Sequence, residues 1–333
     1  MKLGAYTACV HDKTLSEALE ILAGLGLNSL EVNAGGFIPA PHCHVDALLA
    51  NEKNRRNYLA EISSAGFEVT ALNVNGNPLH PDSEVRAKHS RDLFNAIELA
   101  EKLGVSTVIT MSGQPGGHPG CSTPNFVVEP WDSAYTDILD YQWNDVAIPF
   151  WTLVNDTARR SGVNVAIEMH PHNLVYNPAT LVQLIERTKA THVGAEMDPS
   201  HLFWQGMDPI KATDFLGDRV FFAAAKDIRI NEEYCQINGV LDGRFRVLGP
   251  DEPKVSLGGR YVVNGWPTNP SWQFVAVGRG HEVSYWADFL AALEKANPNI
   301  HCNIEHEDFE LGQLEGLEFA ARTLHQAREM IGR

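Results

Sequence analysis

Basic side chains are scarce in this 333-residue chain: 26 lysines and arginines face 42 aspartates and glutamates, for a formal net charge of -16. That balance argues against a polyphosphate partner, because nucleic-acid binding needs clustered cations to displace counterions and no basic stripe is visible. Cysteines are few, unpaired in spacing and odd in number (Cys9, Cys43, Cys121, Cys235 and Cys302), which argues against a disulfide framework and fits reduced thiols in a cytosolic enzyme. No apolar run reaches the ~18 residues of a membrane span. The opening MKLGAYTACV runs into a strand pattern rather than a basic, cleavable leader. A cytoplasmic protein that binds neither nucleic acid nor membrane is therefore expected. Also missing is a glycine-rich phosphate turn after Leu3 to Thr7, where a doubly wound sheet would carry one.

What the chain does contain is an alternation of apolar strand and amphipathic helix, with 44% hydrophobic residues to bury. Strand patterns at Leu3–Thr7, Ser29–Asn33, Glu68–Val74, Val105–Met111, Asn164–Glu168, His192–Met197, Val220–Lys226 and Asn299–Glu305 are each followed by a helical pattern. Parallel strands with crossover helices follow from that order, and eight units predict closure into a single (β/α)8 TIM barrel over residues 1–333. Two segments break the rhythm, after the fourth and seventh strands: about 112–142, rich in Gly, Pro and Trp, and about 228–280. Loops of this length usually cover a site or meet a partner, so 228–280 is expected to be a lid or an interface.

Polar tips on successive strands carry the chemistry. VAIEMH supplies Glu168, GAEMDPSH supplies Asp198 and His201, FFAAAKD supplies Lys226, and CNIEHED supplies Glu305. A cation needs ligands from different strands, because adjacent residues on one strand face opposite ways. A single glutamate at a strand end is as readily a helix cap, but three carboxylates on separate strands favour a shared divalent ion. His201 is a candidate ligand, substrate contact or helix-start histidine, and MHPHN adds His170 and His172 near Glu168. Carboxylates with one imidazole suit Mn first, with Mg, Co or Fe(II) as alternatives. Asn73, Asn75 and His80 are weaker candidates for the same face. Trp204, Trp266 and Trp272 read as a pocket wall, whereas Trp151 and Trp286 read equally as helical-shell packing.

VAIEMHPHNLVYNPATL, VGAEMDPSHLFWQGMDP, AAAKDIRIN, GRGHEVSYW and NIEHEDFELGQLEG together resemble the sugar phosphate isomerase/epimerase family of xylose isomerase-like barrels over nearly the whole chain. The resemblance implies a divalent metal held by Glu, Asp, His and Glu on four successive strands, mapping to Glu168, Asp198, the position of Ala224, and Glu305. It further implies that Glu168 and Glu305 move a proton between adjacent sugar carbons. Alanine at 224 is a departure: either His201 or a water completes the coordination, or the ion is weakly held, or the site has changed its chemistry. His170, His172, Lys226, Arg279 and Trp204 are then the expected substrate contacts. The expected activity is isomerisation or epimerisation of a ketose or keto-sugar through an enediolate. The alternatives are elimination of an aglycone from an oxidised glycoside, similar to C-glycoside deglycosidases that work with a small partner subunit, and a non-catalytic sugar-binding or scaffold subunit. A small sugar or glycoside is the expected ligand, and a homo-oligomer the expected assembly.

Overall fold

The structure is a computed structural model that describes every residue except Phe309 and Arg333. Strands β1 (Lys2–Tyr6), β2 (Ser29–Asn33), β3 (Glu68–Asn73), β4 (Thr107–Met111), β5 (Asn164–Glu168), β6 (Val193–Met197) and β7 (Val220–Ala225) pair in parallel. After four short strands outside the barrel, β8 (Asp227–Ile230), β9 (Ser256–Gly258), β10 (Tyr261–Val262) and β11 (Trp272–Val275), the last strand β12 (His301–Ile304) joins β7 to β1 and closes the ring. This is the expected (β/α)8 barrel. The strands are short runs of Val, Ile, Ala and Leu because both of their faces are covered, as parallel strands require.

Local signals set the helices. Leu15–Gly24 starts at a capping box in which Thr14 and Glu17 satisfy each other's backbone amides. The 21-residue helix Ser83–Leu103 is capped by Asp82 and stops at Gly104, whose φ of 73° is the left-handed turn-off that glycine adopts without strain. Most of the core lies between strands and helices, while a separate cluster of Ala71, Ile109, Ala166 and Phe222 fills the barrel interior. Three small or medium side chains there leave room for one phenyl ring. Polar tips stand above it at the C-terminal ends of the strands, where barrels of this type build their sites.

Element ends moved by one to three residues from the expected bounds, with larger differences in the two long segments. The 112–142 segment contains a helix, Ser133–Asp140, which continues through a π-helical stretch, Tyr141–Ala147, into Ile148–Ser161. The 228–280 segment is rooted by β8 pairing antiparallel with β11. Asp227 clamps the root: one carboxylate oxygen accepts the amides of Gly278, Gly280 and His281 at 3.0–3.1 Å. At the far end the Tyr261 hydroxyl donates to the Ser122 carbonyl at 3.2 Å, and its ring lies 5.2 Å from His80. His80 and Ser122 follow β3 and β4, and β3 is diametrically opposite β7 in the ring. The insertion therefore crosses the open end of the barrel. Among the described residues no helix is long and apolar enough to cross a membrane.

Candidate metal and active site

Glu168 is the last residue of β5, Asp198 follows β6 as the cap of the short helix Pro199–Phe203, and Glu305 follows β12 with its amide on the Ala225 carbonyl at 3.1 Å. Each contributes a carboxylate oxygen, and the three oxygens lie within 4.8 Å of one another. Three like charges at that spacing repel strongly unless protons or a cation compensate. Asp198 uses Oδ1 to accept the Ser200 amide at 2.8 Å, while its buried Oδ2 has no hydrogen-bond partner. Into this cluster comes His201, whose Nε2 is 3.1 Å from Glu168 Oε1 and 3.3 Å from Asp198 Oδ2. Glu168, His170 and His201 form a second group with ligand atoms within 4.8 Å. The residues fit a divalent cation: three carboxylates present oxygens within 4.8 Å of one another, an imidazole lies against two of them, and Asp198 Oδ2 is buried without a hydrogen-bond partner among the described residues. Ala224 offers no ligand atom, while His201 Nε2 lies within 3.3 Å of two of the carboxylates.

The two glutamates differ in environment. Burial pushes Glu305 up to about 7 even though the Lys226 ammonium, 2.7 Å away, pulls it down. Burial also acts to raise Glu168, but the His201 hydrogen bond and the nearby His170 and Lys226 side chains outweigh it and hold this carboxyl at about 2. His201 is pushed down to about 3, chiefly by burial, and is neutral. Asn75 donates to the other Glu168 oxygen, Oε2, so both oxygens of that carboxylate are fixed in direction. Lys226 is buried, bridges Glu305 and Glu307, and sits 4.5 Å from the Phe274 ring centre.

Two further acids escaped the sequence reading. Glu31 and Glu196 are buried on β2 and β6, and burial, with the neighbouring carboxylates, drives both well above the ordinary carboxylate range. Asn73 donates to Glu31 at 2.6 Å and accepts the Asn75 amide on its own Oδ1. Strand alternation carried a signal for Glu196, which lies two residues before Asp198 and therefore on the same face. Nothing local distinguished Glu31 from a surface glutamate.

The other candidates are distributed around the mouth. Trp204 stacks on Trp272 at 4.9 Å, Trp266 meets Trp272 edge-on at 4.9 Å, and Phe274 lies 5.8 Å from His201. A continuous aromatic wall thus stands beside the carboxylates. Arg279 is at the rim, bound to Asp308 and Glu310. His170 packs against His201 with ring centres 3.9 Å apart, whereas His172 is exposed with φ 63°, edge-on to Phe126, and stands outside the carboxylate cluster. His80 is taken up by Tyr261 and the Asp82 amide. Trp143, Trp151 and Trp286 are buried in the helical shell.

Known proteins share this fold. A YfiH protein of Bacillus subtilis (strain 168), itself uncharacterised, is 34% identical over 329 residues, covering 98% of this chain and 99% of the relative. Among solved structures, a xylose isomerase-like TIM barrel protein from Mycobacterium smegmatis in complex with magnesium superposes with a TM-score of 0.62 at 15% identity, covering 99% of this chain and 97% of that one. The 3-keto-D-glucoside 4-epimerase YcjR from E. coli superposes at 0.58 with 12% identity and 99% coverage of both chains. Residues 19–324 match the model of the xylose isomerase-like TIM barrel family, and the chain belongs to that family.

Proposed function

We propose that the protein is a divalent-metal-dependent isomerase or epimerase that moves a proton between adjacent carbons of a ketose or keto-sugar. The observation that carries this reading is the pair Glu168 and Glu305, whose carboxylate oxygens meet beside Asp198 while their proton affinities are pushed apart. Two carboxylates in environments this different can act as a pair, one taking the proton and the other returning it. Glu168, oriented by His201 and Asn75, takes the proton from the carbon next to the carbonyl, and the C–H electron pair moves into the enediolate. Glu305 delivers a proton to the neighbouring carbon or to the opposite face of the same one. Lys226 stands against Glu305 as a fixed positive charge and limits how far burial raises it. Glu168, Asp198, Glu305 and His201 would hold the metal, Mn first, and a bound divalent cation supplies positive charge beside the developing oxyanion, which lowers such barriers by several kcal/mol.

The aromatic wall of Trp204, Trp266, Trp272 and Phe274 supports a substrate with a broad ring face beyond the reacting carbons, such as a keto-glycoside, rather than a free triose. The insertion across the mouth excludes water from the enediolate in this reading. Two structures of the same fold, an epimerase of a 3-keto-D-glucoside and a magnesium complex, support the reaction class and the metal. Ala224 and the aromatic wall also favour a second reading, in which the same proton abstraction ends in loss of an aglycone. The test is solvent exchange: with Mn in D2O, deuterium is expected at the carbon next to the carbonyl of a ketose or 3-keto-glucoside. Glu168→Gln and Glu305→Gln are expected to lower that rate by about 10²–10⁴-fold. Full turnover in both variants would refute the assignment, and aglycone release in place of exchange would select the second reading.

A further inference from the structure

Glu31 and Glu196 are buried carboxyl groups that the proposed reaction leaves unused, and Glu31 is joined to the site by an unbroken run of hydrogen bonds. It lies in the middle of β2, opposite Ala71 of β3. Ala71 belongs to the interior cluster, so Glu31 points into the barrel, as does Asn73 two residues beyond Ala71. Both are almost fully buried, at 2% and 1% exposed. Burying a carboxyl group is costly unless it is hydrogen-bonded, and the nearby carboxylates of Glu305, Glu168 and Asp198 add repulsion. What engages the Glu31 side chain is Asn73, whose Nδ2 donates to Oε1 at 2.6 Å.

The direction of each bond in the run is fixed. The Asn75 backbone N–H can only donate, and it reaches Asn73 Oδ1 at 2.8 Å. Asn73 must therefore turn its NH2 group to Glu31, and the partner there must be an acceptor. Turned the other way, the amide would set NH2 against N–H. Asn75 is gripped from its other side as well: its carbonyl accepts the Phe37 amide at 2.8 Å, and Gly36 packs so closely on that carbonyl that a Cβ there would lie 2.1 Å from the oxygen. With its backbone held at both ends, Asn75 carries its own Nδ2 to Glu168 Oε2. His201 holds the other oxygen, so the Glu168 carboxylate is aimed from the end of β3 and from the short helix after β6 together.

We propose that Glu31 is a positioning residue: through Asn73 and Asn75 it sets the direction in which Glu168 presents its carboxylate to the ion and to the substrate carbon. The inference rests on the reading of Glu168 as ligand and base, and Glu31 itself touches neither ion nor substrate. Removing its acceptor oxygen leaves the Asn73 NH2 group buried without a partner, which is unfavourable. Asn73 then turns to recover one and releases the Asn75 amide, so the hydrogen bond that aims Glu168 is lost two residues and one strand away from the change. Outer partners of this kind alter metal affinity by about 10–100-fold, and a misplacement of about 1 Å in a reacting group costs about a hundredfold in rate.

The test compares full-chain Glu31→Gln, Glu31→Met, Asn75→Ala and the double variant Glu31→Met/Asn75→Ala with the native protein. They are read by calorimetric titration with Mn, by deuterium exchange of a 3-keto-glucoside at saturating Mn, and by metal-free crystal structures; Asn73→Ala breaks the same run if Glu31→Met does not fold. Glu31→Gln keeps an acceptor for Asn73 and is expected to stay within about threefold of the native protein, whereas Glu31→Met loses about tenfold or more in Mn affinity and in kcat, with KM little changed. The double variant is expected to lose no more than Asn75→Ala alone, because both changes break one run. Additive losses, or equal losses in Glu31→Gln and Glu31→Met, would make Glu31 a separate structural support and overturn the proposal. The crystal structure of Glu31→Met is expected to show the bond between Asn75 and Glu168 broken, and an intact bond overturns the proposal whether or not Mn binds. A native protein that neither binds Mn nor exchanges deuterium defeats instead the reading of Glu168 as ligand and base, and the crystal structures then decide by themselves whether Glu31 places Glu168.

Discussion

His89 is 2% exposed, and its Nδ1 accepts the Asn77 amide at 2.9 Å, which fixes it as a neutral ring. Burial, with repulsion from Lys88, holds it down to about 4 against the ordinary 6.5. Between those values the unfolded chain binds a proton that the folded one refuses. The contribution to stability is therefore fully present above pH 6.5 and is lost as pH falls toward 4. Its size is up to about 3 kcal/mol. Urea unfolding at pH 7 and pH 4.5 should show the loss, and His89→Gln should shrink the difference by about one proton's worth of slope; an unchanged slope would remove His89 as its source. At the mouth, His201→Ala is expected to weaken Mn binding by about 10–100-fold in calorimetric titration, on the scale of losing a ligand-positioning group. Undiminished affinity would mean that His201 serves the substrate instead. Glu168, Asp198 and Glu305 were legible at this scale because each terminates an apolar run. His201 was legible only as one of three alternatives, a ligand, a substrate contact or a helix-start histidine, since a spacing of three residues across a proline says nothing about which way a ring turns.

At the scale of elements, the insertion depends on one residue. Asp227 holds the amides of Gly278, Gly280 and His281 on one oxygen and the His281 ring on the other at 2.7 Å, while β8 and β11 pair over only four residues each. Asp227→Ala should free the strap without unfolding the barrel, whose core lies elsewhere. Limited proteolysis is expected to cut the variant within 232–270 well before the native chain, with far-ultraviolet circular dichroism preserved; equal resistance would show that the far contact, Tyr261 to Ser122, suffices alone. The sequence marked 228–280 as irregular and suggested a cover. The direction in which it runs was not readable, because it is set by contacts with loops about 140 residues earlier in the chain.

The whole molecule gathers four buried carboxylates, Glu31, Glu168, Glu196 and Asp198, and a half-buried fifth, Glu305, into the interior and mouth of one barrel in a chain of net charge -16. A cation binding only the folded state stabilises it by mass action, about 2.7 kcal/mol at a hundredfold excess over Kd. EDTA-treated protein is expected to melt several degrees lower than protein with added Mn, with Asp198→Asn abolishing most of the difference. Coincident melting curves with Mn, Mg and Co alike would end the metal reading.

Sequence by itself determined the order of eight strand and helix units, because burial on two faces and helical caps are written in neighbouring residues. It also determined which carboxylates end the strands. Only the closed ring decided that Glu168, Asp198 and Glu305 bring oxygens within 4.8 Å of one another, that His201 lies against two of them, and that the insertion spans the mouth. Those facts depend on β5 and β12, about 137 residues apart in sequence, being brought to one end of a cylinder with only β6 and β7 between them, a distance across which no local pattern carries information.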